Sequence, residues 1–162
     1  FMSMLMTHNT KVGFTAFAGG VMAGIPTAYV MAYTGGFLGA FTAVHNANGV
    51  GAEWWAWILP HGVTELGACI LCGGAGLFLG YAVVRPGYRT RAASLRHAGR
   101  EGLRIAMGVI PMFVFAGFAE SFVRQSHWTT EQRYAFAAAT ALFWAAYFTL
   151  GALLERRART AA

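Results

Sequence analysis

A histidine and a glutamate lie four residues apart inside an almost wholly apolar stretch, residues 54–80, which reads WWAWILPHGVTELGACILCGGAGLFLG. They are His61 and Glu65. Residues four apart share one face of an α-helix, so the imidazole and the carboxylate would project side by side. An ionisable group at membrane depth costs about 2.5–3.5 kcal/mol on insertion scales, and such groups mark ion and proton sites. The pair is therefore the first candidate for chemistry in this chain.

Other polar residues are expected to join this pair. If the stretch enters a membrane from outside and a later apolar segment returns, Glu120 lies at a similar depth to Glu65 in the outer half. Arg124 follows Glu120 by one helical turn, and His45 and Asn46 precede the apolar stretch on the outer side. The predicted polar cluster is therefore His61, Glu65, Glu120, Arg124, His45 and Asn46.

Three interpretations of this cluster stay open. Its members could brace neighbouring helices through hydrogen bonds, handle a proton or a solute, or bind a metal ion. A histidine and a glutamate at this spacing can chelate zinc, but further ligands would have to come from elsewhere, and no His-Glu-x-x-His pattern is present. Cys69 and Cys72 are interpreted as small packing residues. We therefore predict no metal and no cofactor.

The composition is that of a membrane protein. The chain has 162 residues, of which 57% are hydrophobic and 11% charged, and its mean hydropathy is +0.49. Soluble domains carry about 25% charged residues. The net charge is +6, but the arginines flank apolar segments, so anionic lipid is the expected counter-charge. We expect one domain over residues 1–162, with the lipid bilayer and not nucleic acid as its surroundings.

Segments of about 20 mainly apolar residues suffice to cross a bilayer. Residues 35–49 are too short for that and are predicted to form a re-entrant or interfacial helix. Residues 88–104 mix arginines with an apolar stripe at Leu95, Gly99 and Leu103, which is typical of a cytoplasmic amphipathic helix. The predicted fold is an all-α, polytopic membrane helix bundle with four crossings, at residues 11–33, 60–84, 103–123 and 132–154.

Arginine counting predicts the orientation. Six arginines lie in residues 85–104 and three follow the fourth predicted crossing, whereas residues 34–60 contain neither Lys nor Arg. Positively charged loops stay in the cytoplasm. We therefore expect residues 85–104 and both termini to lie in the cytoplasm.

Small residues mark the faces on which membrane helices pack, because they let two backbones approach closely. Gly20 and Gly24 have this spacing in the first predicted crossing. Gly76 and Gly80 continue the face of the second crossing that carries His61 and Glu65. We expect these four glycines to pack against other helices.

Residues 59–80, LPHGVTELGACILCGGAGLFLG, resemble the signature of the stage II sporulation protein M family of integral membrane proteins. The matching positions are Pro60, His61, Gly62, Glu65, Leu66 and Ala68. The segment GFAESFV resembles a later element of the family and places Glu120 on its acidic position. The chain departs from the family pattern at Thr34-Gly35-Gly36, where Asn-Gly is common, and at Gly67, where Pro is common.

The resemblance implies an inner-membrane protein that works with other proteins. The family's namesake anchors cell-wall-degrading partners at the engulfing septum of spore formers. Our first hypothesis is a non-enzymatic scaffold or assembly subunit that packs with envelope proteins, or with a second copy, through its small-residue faces. The alternative is a transporter or channel that uses the His/Glu cluster for a proton, an ion or a small solute. A subunit that carries haem or metal through His61 or His45 ranks third.

Overall fold

Six α-helices and one short 3₁₀ turn make up the part of the chain that the computed structural model describes, which is residues 2–123 and 125–160, with side chains from residue 10 onward. No strand occurs within these ranges. The 3₁₀ turn is Gly19–Val21. The helices are α1 (Met2–Ala18), α2 (Ile25–Ala47), α3 (Gly51–Val84), α4 (Arg91–Gly108), α5 (Ile110–Phe122) and α6 (Thr130–Thr160).

Three helical stretches of the described chain are long and apolar enough to cross a membrane: α3, the nearly continuous pair α4–α5, and α6. They hold 34, 32 and 31 residues. At 1.5 Å per residue they are about 46–51 Å long, which exceeds the hydrocarbon core of about 30 Å. The prediction of an all-helical membrane protein is confirmed in outline, but these criteria identify three crossings and not four.

The first predicted crossing, residues 11–33, is not one helix. The chain leaves α1 at Ala18, passes through the 3₁₀ turn, and reverses into α2 at Ile25. Gly24 has φ +77°, a left-handed conformation that costs glycine nothing, and Pro26 lies in the first turn of α2, where its missing N–H is not needed. Residues 35–49 are therefore not a separate short helix, because residues 35–47 are the second half of α2.

Thr27 closes this helical hairpin. Its hydroxyl donates a buried hydrogen bond of 2.6 Å to the carbonyl oxygen of Ala16, in the last turn of α1. The last four carbonyls of a helix have no partner within that helix, and side chains are one way to satisfy them. Thr27 of α2 thus donates to a carbonyl oxygen of α1 that has no partner within α1.

The order of neighbours along the helices fixes their directions. Gly13 of α1 packs beside Cys72 and Gly20 packs beside Leu79, so α1 runs parallel to α3. Trp144 of α6 donates a hydrogen bond of 2.8 Å to Thr64, and Tyr134 bonds near the start of α3, so α6 is also parallel to α3. The two ends of the described chain therefore lie toward opposite ends of the bundle, which does not fit the prediction that both termini lie on one side.

The amphipathic segment packs differently from the prediction. Helix α4 begins at Arg91, with the hydroxyl of Thr90 capping its first turn. Its buried stripe is Ser94, Ala98, Gly102 and Ala106, one position away from the predicted stripe, and Leu103 is exposed. Small residues at every fourth position let α4 lie close along the second half of α3. The predicted surface helix is thus part of the bundle, and only the interruption before Pro111 separates it from α5.

Candidate functional site

The structure brings His61, Glu65 and Glu120 into one group. One ligand atom from each side chain lies within 4.8 Å of the other two. His61 is 7% exposed and Glu120 is 5% exposed, whereas Glu65 is partly exposed. His61 and Glu65 lie in the first half of α3, and Glu120 lies near the end of α5. Because the two helices pack against each other, the three side chains lie at one depth in the bundle.

Local sequence explains how the three side chains converge. His61 and Glu65 lie one turn apart on α3, and α5 runs antiparallel to α3 beyond the reversal at residues 85–90. Phe113 and Met112 pack in the same buried cluster as Ala68 and Cys72, which holds the two helices together below the group. The two packed helices therefore set the positions of the three donors.

Two other predicted members, His45 and Asn46, lie at the end of α2. His45 stacks on Trp54 with ring centroids 4.1 Å apart, and its Nδ1 lies 2.7 Å from the carbonyl oxygen of Phe41. The side chain of Asn46 lies against Gly51, at the start of α3. Arg124 lies outside the described residues. His45 and Asn46 belong to the last turn of α2, directly before the connection to α3.

The four predicted packing glycines meet each other within the chain. A Cβ on Gly80 would lie 2.5 Å from the backbone nitrogen of Gly24, and one on Gly20 would overlap the backbone of Gly76. The tip of the α1–α2 hairpin therefore rests directly on the backbone of α3. These glycines therefore serve packing within one chain.

Two open cavities adjoin Glu65. The larger, of about 650 Å³, lies between α1, α2 and α3, and its wall includes Lys11, Tyr33 and Glu65. The smaller, of about 270 Å³, lies between α2 and α3 and is lined by both His61 and Glu65. Ligand cavities measure about 300–1,000 Å³. The cluster is thus reached from the side of the bundle at Glu65 in both cavities and at His61 in the smaller one.

Sequence reasoning missed the aromatic surface of α2. Neighbouring rings along this helix have centroids 4.7–6.4 Å apart, and Trp54 of α3 stacks against its last two members. The signal was present in the sequence as aromatic or imidazole rings at every fourth position, but it is visible only if residues 25–47 are taken as one helix. We call this set the aromatic ridge; its members are Tyr29, Tyr33, Phe37, Phe41 and His45.

Arg133 is a second residue that the sequence analysis did not single out. It lies in the first turn of α6, is 8% exposed, and its guanidinium donates to the carbonyl oxygens of Ser126 and Trp128 at 3.0 and 3.2 Å. A buried arginine that bonds to backbone carbonyls fixes the connection between α5 and α6. The signal for it is an arginine at the edge of an apolar segment.

The family model for stage II sporulation protein M matches residues 1–124, which is more than half of the 162-residue chain. The chain belongs to this family. The match contains His61, Glu65 and Glu120, and it ends before α6 begins at Thr130. No curated protein and no solved structure gives a match.

Proposed function

We propose that this family member is a multi-pass protein of the bacterial inner membrane that binds a cation at His61, Glu65 and Glu120 and transfers it across the bilayer. The observation that carries the proposal is the convergence of three ionisable groups within 4.8 Å on two apolar helices. Two carboxylates this close repel each other when both are ionised, so positive charge beside them, on a side chain or on a bound cation, stabilises the site. A proton, a metal ion or a small cationic solute meets this need.

The hairpin of α1 and α2 supports transport because it gives Glu65 an entry between protein walls. Backbone that leaves the helix is tolerated at membrane depth where protein surrounds it. Here the chain reverses at residues 19–24 against Gly76 and Gly80 of α3. These residues lie 4–8 positions before the end of α3, about 6–12 Å from it along the helix axis. The hairpin also forms two walls of the cavity that leads to Glu65.

The transport proposal is tested in vesicles of phosphatidylethanolamine and phosphatidylglycerol that contain the purified protein. A trapped pH dye and a trapped metal dye report proton and Mn²⁺ entry under an imposed potential. We expect entry of at least one cation above empty vesicles and its loss in Glu65→Gln and Glu120→Gln. Glu53→Gln is the matched control, because Glu53 is an exposed carboxylate on the same helix. Equal cation entry into protein-containing and empty vesicles would contradict transport and would favour the interpretation that the cluster braces neighbouring helices.

A second candidate function, the assembly subunit, is favoured by α6. Only 11% of the most apolar window of α6 is buried within the chain, compared with 50% for α3. We propose that this face packs against a second copy or an envelope protein. Energy transfer between two labelled copies in vesicles tests self-association. We expect it to fall when Phe143, Tyr147 and Leu150 are changed to Ala together, and to persist in Leu103→Ala, which alters an exposed residue of α4. Equal transfer in both variants would contradict the role of α6.

A further inference from the structure

We infer that His61, Glu65 and Glu120 form a binding site for one divalent ion of a first-row metal. This inference rests on the proposed cation site and names the class of cation. The three side chains supply one imidazole nitrogen and two carboxylates, and Glu120 is the third ligand that the sequence pair alone lacked. The donors are held by α3 and α5, which are packed against each other.

The distances suit a site that closes on an ion. Zinc bonds to nitrogen and oxygen ligands are about 2.0–2.2 Å long, so two ligands of one ion lie roughly 3.0–3.5 Å apart. The three donors here are within 4.8 Å of one another. The donors therefore need to move together by at most about 1–2 Å to bind one ion.

The donor set indicates the kind of metal. Imidazole suits zinc, iron, copper and nickel, whereas carboxylates suit magnesium, calcium and manganese. A mixed set of one imidazole and two carboxylates therefore favours Zn²⁺ or Mn²⁺ over Mg²⁺ or Ca²⁺. Three protein ligands leave at least one coordination position free, and the cavities beside Glu65 give that position access to water or to a further ligand.

Metal binding is measured directly on the purified full chain in detergent after treatment with a chelator. We titrate ZnCl₂ and MnCl₂ by calorimetry and count bound metal after gel filtration. We expect one ion per chain, a higher melting temperature with metal than without it, and weaker binding of MgCl₂ and CaCl₂. His61→Gln, Glu65→Gln and Glu120→Gln should each weaken binding about tenfold or more.

Control variants separate this site from other donors. Glu53→Gln alters an exposed carboxylate on α3, and Cys69→Ser removes a thiol one turn after Glu65, so both should bind metal as the wild type does. If one of the three site variants does not fold, the other two still test the site, with gel-filtration profiles as the criterion of folding. Undiminished binding in the site variants, loss of binding in Cys69→Ser, or no bound ion at all would overturn the inference.

The outcome is distinguishable from that of the proposed function. One bound ion without any cation entry into vesicles supports the metal site and contradicts transport. Proton entry that is lost in Glu65→Gln, with no metal bound to the wild type, supports transport and contradicts the metal site.

Discussion

The contact between the hairpin tip and α3 can be tested by adding a single methyl group. In Gly80→Ala, the new Cβ would lie 2.5 Å from the backbone nitrogen of Gly24 and 2.6 Å from its Cα. It would also lie 2.7 Å from the carbonyl carbon of Ala23. All three atoms belong to the backbone of the turn, so rotation of a side chain cannot relieve the overlap. The hairpin must move away from α3 or the turn must change its conformation.

Gly74→Ala is the matched control. Gly74 lies on the same helix, and a Cβ there would meet nothing within 4 Å. Both substitutions gain about 0.8–1 kcal/mol of helix propensity, so this gain cancels when the variants are compared. Overpacking costs about 1–3 kcal/mol, and we expect the upper half of this range because backbone must shift. Gly80→Ala should therefore be less stable than Gly74→Ala by about 2–3 kcal/mol.

The assay is reversible unfolding in mixed micelles of a mild detergent and increasing dodecyl sulfate, followed by tryptophan fluorescence. The free energies of unfolding of the two variants and the wild type are compared under one set of conditions. Equal stability of Gly80→Ala and Gly74→Ala would refute the close approach of the hairpin to α3, and with it the reversal of the chain at residues 19–24.

Two further predictions address the hairpin and the orientation. Thr27→Val removes the donor to the carbonyl oxygen of Ala16 and should cost about 1–3 kcal/mol of unfolding free energy, measured in the same assay, because a buried acceptor is left unsatisfied. Thr140→Val, which removes a hydroxyl that bonds only within its own helix, should cost less. In intact cells, an impermeant thiol reagent should label Asn48→Cys but not Tyr88→Cys, since the positive-inside rule predicts that residues 85–104 lie in the cytoplasm. The reverse pattern would contradict this orientation.

Hydropathy was sufficient to find the later helices. Predicted crossings at residues 60–84 and 132–154 correspond to α3 and α6, although both helices are longer than predicted. The reason is that hydropathy detects only the apolar part of a helix, whereas α3 begins with a turn that contains Glu53, and a helix of 34 residues is longer than the roughly 20 residues that a crossing needs. The grouping of His61 with Glu65 also followed from spacing alone, because both residues lie on one helix.

The break in the first segment could not be derived in the same way. Its signals, Gly19, Gly20, Gly24 and Pro26, are all in the sequence, but glycine and proline are also tolerated inside membrane helices. The choice between a continuous helix and a hairpin depends on whether another helix offers a surface on which the turn can rest. That surface is the backbone of α3 at Gly76 and Gly80, which is distant in sequence.

The hairpin also explains how Glu65 is accommodated. A single helix over residues 11–33 would place one helix, and not two, beside this part of α3. Because the chain reverses, Lys11 of α1 and Thr34 of α2 both reach the cavity at Glu65, and the carboxylate faces protein on either side. Exposure of the ionised carboxylate to acyl chains would cost about 2.5–3.5 kcal/mol. The turn at residues 19–24 and the acidic residue on α3 are therefore coupled features, and a variant that opens the hairpin should also perturb cation binding at His61 and Glu120.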